Sequence, residues 1–185
     1  MGRPEEQEFE ISLLMKLGTV ALIVTTLFQL IGFGSSHWVL SVSTEYGVIE
    51  YSGLWEKCAD ISIGYHDYEC EGFVWEDFQV SHWFRTIQTM ESMGFVGLLT
   101  TIVLIGTYIF RTPLQGRKAV KRICITLCIL CGTLIIVSCI IFASLKNTLR
   151  ARHMPGSKAE LSWSFALSLV GGLGSIGTSF LICFG

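Results

Sequence analysis

The sequence predicts a membrane all-α fold, a bundle of four helices with a small antiparallel β-sheet on one side, and three observations predict it. Hydrophobic residues make up 51% of the chain and charged residues only 15%, where soluble domains carry roughly 25% charged. Those charges are segregated into the N-terminal tail, one long loop and two short connections, which leaves uninterrupted apolar runs between them. Four such runs are long enough to cross a hydrocarbon core of roughly 30 Å, which takes about 20 helical residues. Only helices and closed barrels satisfy the backbone in lipid, and runs of this length exceed a barrel strand. The length is that of a single domain, residues 1–185.

The first span, about 13–33, follows an acidic tail (Glu5, Glu6, Glu8, Glu10) and holds Lys16 close enough to its start to snorkel to the headgroups. A cleaved signal peptide would have a shorter apolar region and a basic start, although Gly34, Ser35 and Ser36 are small enough for a cleavage site. Glu6 stands where a myristoylation signal has Ser or Thr. The second span, about 90–110, has Glu91 at its entry, and that boundary position predicts an interfacial role rather than a proton relay. The third, 123–145, and the fourth, about 163–184, carry no charge. In the fourth, Gly171, Ser175 and Ser179 form a small-residue stripe with Gly174 and Thr178 beside it, which predicts close crossings within the bundle rather than a dimer face.

Four spans place both termini on one side, with loops at about 36–89 and 146–162 on the other and a connection at 111–122. That connection holds Arg111, Arg117, Lys118, Lys121 and Arg122 and reads as cytoplasmic. The last loop, with Lys146, Arg150, Arg152 and Lys158, weighs the other way, so the cysteines decide the orientation. Cys58 and Cys70 lie alone in the long polar loop and are a natural disulfide pair if that loop faces an oxidising space; the alternative is two cytosolic thiols. Cys124, Cys128 and Cys131 recur on one helix face without a fourth ligand, a pattern of small packing residues rather than a metal centre. Cys124, beside Lys121 and Arg122 at the cytoplasmic boundary, is a palmitoylation candidate.

No phosphate-binding loop, nucleophile elbow, paired intramembrane carboxylate or consistent spacing of His37, His66, His82 and His153 is present. The reading is therefore a non-enzyme with no cofactor, no metal, no nucleic acid and no small-molecule substrate, whose first partner is the lipid bilayer.

The loop at 36–89 is rich in strand formers. Trp38 to Val42, Tyr46 to Tyr51 and Leu54–Trp55 read as short strands broken at Gly47 and Gly53. Trp38, then Gly53-Leu54-Trp55, then Cys58 and Cys70, resembles the W…GLW…C…C signature of the claudin, peripheral myelin protein and epithelial membrane protein superfamily. The segment Trp83 to Met90 is similar to the entry of that superfamily's second helix, with Gln88 where claudins usually have Arg, and Trp163 to Leu167 to the start of its fourth. The resemblance implies a left-handed four-helix bundle capped by an extracellular sheet, most of it from the first loop and one strand from the second. It implies that the Cys58–Cys70 disulfide braces two strands and that Trp38 and Trp55 anchor the sheet. Tryptophan also favours membrane interfaces in its own right. Two features depart from the pattern: Asn147-Thr-Leu is not a glycosylation sequon, and the chain closes at Gly185 rather than in a tail with a PDZ-binding motif.

Three roles fit the resemblance: cell–cell contact or membrane organisation through the sheet, with partners that are itself or related tetraspans; a paracellular cation channel; and an auxiliary subunit of an ion channel or receptor, as in stargazin-like calcium-channel gamma subunits. The channel reading would place Glu71, Glu76 and Asp77 toward the ions, against a solvated acidic surface as the plain alternative. Phe73, Val74, Trp75 and Phe78 are either a contact patch or buried on the bundle. The expected location is the plasma membrane, multi-pass, with cytoplasmic termini and enrichment at cell junctions. Reduction of intact cells should expose Cys58 and Cys70 to an impermeant thiol reagent; no gain in labelling at either would reverse this topology.

Overall fold

The computed structural model describes residues 12–43, 48–60, 68–72, 81–110, 118–153 and 158–185. Four helices in it are long and apolar enough to cross a membrane: α1 (Leu13–Gly34), α2 (His82–Phe110), α3 (Lys118–His153) and α4 (Trp163–Phe184). The Ser12 hydroxyl accepts from the Leu14 amide and caps α1. Side chains such as Leu17, Val20, Val96, Val103, Ile140 and Phe180 point outward, which in water would be an error and in lipid is the preferred surface.

Lipid offers no hydrophobic force to pull helices together, so close packing must do it. α1 packs on α4, α4 on α3 and α3 on α2, while α1 and α2 touch least of the neighbouring pairs. Glycines set the tightest crossings. A Cβ on Gly32 of α1 would lie 2.8 Å from the Ser168 amide nitrogen and 2.9 Å from the Ser164 carbonyl of α4. A Cβ on Gly132 of α3 would lie 2.7 Å from the Gly172 carbonyl of α4. The predicted stripe Gly171, Ser175 and Ser179 is buried, with Gly171 against Thr25 and Gln29 of α1, and the Ser175 hydroxyl donating to the Cys128 carbonyl of α3 at 2.8 Å. Many other hydroxyls on the helices are satisfied locally, as Thr26 is by the Leu22 carbonyl at 2.7 Å and Thr133 by that of Ile129 at 2.7 Å.

The sheet has five strands: β1 (Val39–Ser43), β2 (Val48–Ser52), β3 (Glu56–Asp60), β4 (Tyr68–Gly72) and β5 (Lys158–Leu161). Its order is β4-β3-β2-β1-β5, antiparallel throughout. β5 comes from the second loop and pairs with β1, Val39 opposite Leu161.

Three local expectations change. Leu54 and Trp55 form no strand: they lie in the turn between β2 and β3, where the Gly53 amide donates to the Glu56 carbonyl at 2.9 Å. α2 begins at His82, not near Met90, because amphipathic turns ahead of the apolar run pack under the sheet. α3 continues past Leu145 to His153, past the apolar run by which its end was judged.

Gly32→Ala should force α1 and α4 apart and cost about 1–3 kcal/mol, the usual range for overpacking. Gly34→Ala meets nothing within 4 Å and should be near neutral. Detergent-denaturant titration of the two variants checks this; equal midpoints would mean the Gly32 crossing is not tight.

Candidate functional site

The residues singled out by the signature converge on the joint where the sheet rests on the bundle. Trp38 is fully buried at its centre. Its indole N–H donates to the Gly32 carbonyl of α1 at 2.6 Å, and its ring meets Phe142 of α3 and Phe165 of α4 edge-on, at 4.9 and 5.7 Å. Its backbone amide donates to the Ser52 carbonyl at 3.1 Å, and its carbonyl accepts from Ser162 at 2.9 Å. One residue thus ties α1, α3, α4, β2 and the entry to α4.

The Gly53-Leu54-Trp55 turn makes the second attachment. A Cβ at Gly53 would sit 2.6 Å from the Ser36 Cα and nearer still to the Ser35 carbonyl, so the turn lies on the bare backbone leaving α1 and only glycine fits. Leu54 is buried, and its carbonyl accepts from the Gln88 side-chain amide of α2 at 2.6 Å. Gln88 therefore does a definite job where claudins usually have Arg. Trp55 meets Phe33 edge-on at 5.0 Å, and Phe33 stacks on Phe95 of α2 at 5.3 Å. His37 packs on Tyr51 and Trp163, at 4.6 and 5.5 Å.

Away from the joint, Cys58 and Cys70 face each other across β3 and β4 and form a disulfide. Lys57 and Glu50 make an ion pair at 3.5 Å. Glu69 and Glu71 are exposed on β4, two residues apart and so on one face. Glu76 and Asp77, and the patch Phe73, Val74, Trp75 and Phe78, lie outside the described residues.

Two residues sit deeper in the bundle than their place in the sequence suggests. Glu91 is fully buried between helices, accepting from the Gln29 amide at 2.5 Å and from the hydroxyls of Ser138 and Ser168. With α2 starting at His82, Glu91 stands more than two turns inside the helix. Cys124, the palmitoylation candidate, is 1% exposed and turned into the bundle with Cys128, Cys131 and Cys139. The Cys131 sulfur sits directly over Gly97, the packing role expected of this row. Gln29, Ser138 and Ser168 had no sequence signal beyond being polar inside apolar runs, with Gln29 alone conspicuous as an amide.

A membrane-spanning four-helix bundle with a disulfide-braced antiparallel sheet seated on one end defines a sheet-capped tetraspan, a multi-pass membrane protein. Residues 11–179 match the model of the PMP-22/EMP/MP20/Claudin family, and the chain belongs to that family. A search of curated proteins finds no match.

Removing the disulfide by Cys58→Ser with Cys70→Ser should destabilise the sheet by roughly 3 kcal/mol on the chain-entropy account. Retention in the secretory pathway should follow, because losses of that size are triaged. Surface biotinylation reads the outcome, and delivery equal to wild type would show the bridge to be dispensable.

Proposed function

We propose that this protein is a non-enzymatic organiser of cell contacts, acting through its sheet on the outer face of the plasma membrane with both termini in the cytoplasm. The observation that carries the reading is the joint: Trp38, Gly53, Leu54 and Gln88 fix the sheet to the bundle through backbone-level contacts. A sheet held this firmly presents a fixed surface, and preorganisation lowers the cost of association. Family membership supports a structural or junctional role over catalysis. The partners we propose are other copies of this chain or related tetraspans, in the same or the facing membrane.

One observation favours a second reading, a paracellular cation path. Glu69 and Glu71 are exposed on one face of β4, with Lys57 opposite Glu71 on β3, and the field of an excess of acidic charge draws counter-ions. At physiological salt that field reaches only about 8 Å, so it acts on ions solely within a narrow space between membranes.

Imaging of the tagged chain in confluent cells should show enrichment at contacts. Dilution potentials across the same monolayers, with Glu71→Gln, Glu76→Gln and Asp77→Asn combined, should match wild type if the role is contact alone and lose cation preference if the path exists. Uniform surface staining together with unchanged potentials would discard both readings and favour an auxiliary subunit of a channel or receptor.

A further inference from the structure

Each of the four helices contributes one fully buried polar side chain to a single cluster: Gln29 from α1, Glu91 from α2, Ser138 from α3 and Ser168 from α4. Glu91 is the hub. Its Oε2 accepts from the Gln29 amide at 2.5 Å and from Ser168 at 3.1 Å; its Oε1 accepts from Ser138, with the Cys139 sulfur at 3.8 Å. The single Ser168 hydroxyl hydrogen is shared between Glu91 Oε2 and the Gln29 Oε1 at 3.0 Å. Every one of these partners is an uncharged amide, hydroxyl or thiol, so the cluster is built on hydrogen bonds rather than on an ion pair.

Its position matters more than its existence. One turn along each helix toward the sheet lies the residue that seats the sheet. From Gln29 the next turn reaches Gly32, whose carbonyl holds the Trp38 indole. From Glu91 it reaches Gln88, which holds the Leu54 carbonyl. From Ser138 it reaches Phe142, and from Ser168 it reaches Phe165, the two rings that clasp Trp38. We propose that the Gln29–Glu91–Ser138–Ser168 cluster is a positioning device that locks the four helix ends in one register and so aims the sheet.

The physical reason is that apolar helix faces tolerate sliding and rotation, whereas a hydrogen-bonded set buried in lipid has one satisfied arrangement. The seam between α1 and α2 depends on it most, being the least packed of the neighbouring contacts. Across that seam run the Gln29–Glu91 hydrogen bond and the Phe33–Phe95 stack. The Gly53-Leu54-Trp55 turn straddles it, resting on the chain leaving α1 and bonded to α2. Any opening of the seam therefore moves the turn, and with it β2 and β3.

The test is hydrogen exchange on the full chain in lipid nanodiscs. Glu91→Leu should raise exchange in Val39–Ser43 and Val48–Ser52 by about tenfold, while the middle of each helix stays protected. Glu91→Gln keeps an acceptor for Gln29 and Ser168 and reverses the Ser138 contact, its amide donating to the Ser138 hydroxyl, and should leave the sheet as in wild type. Ile182→Ala is the control: it opens the core beside Gly18, at the opposite end, and should loosen that end alone. Should Glu91→Leu fail to fold, Ser168→Ala removes one donor and should give a smaller rise in the same strands. An unaltered sheet in Glu91→Leu or Ser168→Ala, a Glu91→Gln as loose as Glu91→Leu, or equal loosening by Ile182→Ala would each overturn the proposal.

Discussion

Trp38 stands where two incompatible kinds of order meet. Below it the helices are held by interdigitation in lipid; above it the strands are held by a hydrogen-bonded ladder in water. Its ring belongs to the first, wedged between Phe142 and Phe165, and its backbone to the second, bonded to Ser52 and Ser162. The indole N–H is the decisive atom. Buried and unpaired it would cost roughly 1–3 kcal/mol, and its only escape is a helix carbonyl left free at a C-terminus. Gly32 supplies that carbonyl, near the end of α1. Since β1 starts at the next residue, Val39, this hydrogen bond ties the start of the sheet directly to the end of α1, and the Gln88–Leu54 bond makes the second attachment.

The bundle obeys the same economy of polar groups. Many threonines and serines on its helices return their hydroxyls to the preceding turn, Ser175 gives its own to α3, and small residues bring backbones within reach of one another. Glu91 is the exception, since a carboxyl cannot be satisfied by its own helix. It needs donors from its neighbours and finds one on each of the other three. Gly171 is part of that accommodation: a Cβ there would press on the Gln29 Oε1 at 3.1 Å and on the α1 backbone at 3.2 Å. Close crossing and polar satisfaction are thus one arrangement, because helices held apart by larger side chains could not place four short donors and acceptors around one carboxyl.

How much of this was legible in the sequence depends on which force writes each feature. Hydropathy alone marks four spans, because lipid imposes length and apolarity without reference to tertiary contacts. The Cys58–Cys70 pair was readable for a similar reason, two thiols isolated in one polar loop. β3 and β4 were not readable as strands. Glu-Lys-Cys-Ala-Asp and Tyr-Glu-Cys-Glu-Gly hold one strand former between them, Tyr68, and are made extended by pairing and the disulfide. Leu54 and Trp55 misled in the opposite sense: apolar and bulky, they suggested a strand but serve as plugs on the bundle. The partners of Glu91 were not legible because position in an apolar run says nothing of neighbouring helices; only the fold brings Gln29, Ser138 and Ser168 to it.

The sheet's outer limit carries the remaining consequence. β4 ends the strand order among the described residues, opposite β5, which is tucked against β1 beside the start of α4. An open edge strand invites pairing with any extended chain. Here the invitation is selective. If β4 paired antiparallel with itself about Cys70, Glu69 would face Glu71 from both sides, and like charges directly opposite destabilise such a pair. Uncontrolled stacking of copies through this edge is therefore disfavoured, while a strand offering lysine or arginine at alternate positions would meet no such barrier. Charge at the β4 rim, rather than the order of the strands alone, thus decides which extended chains could pair there.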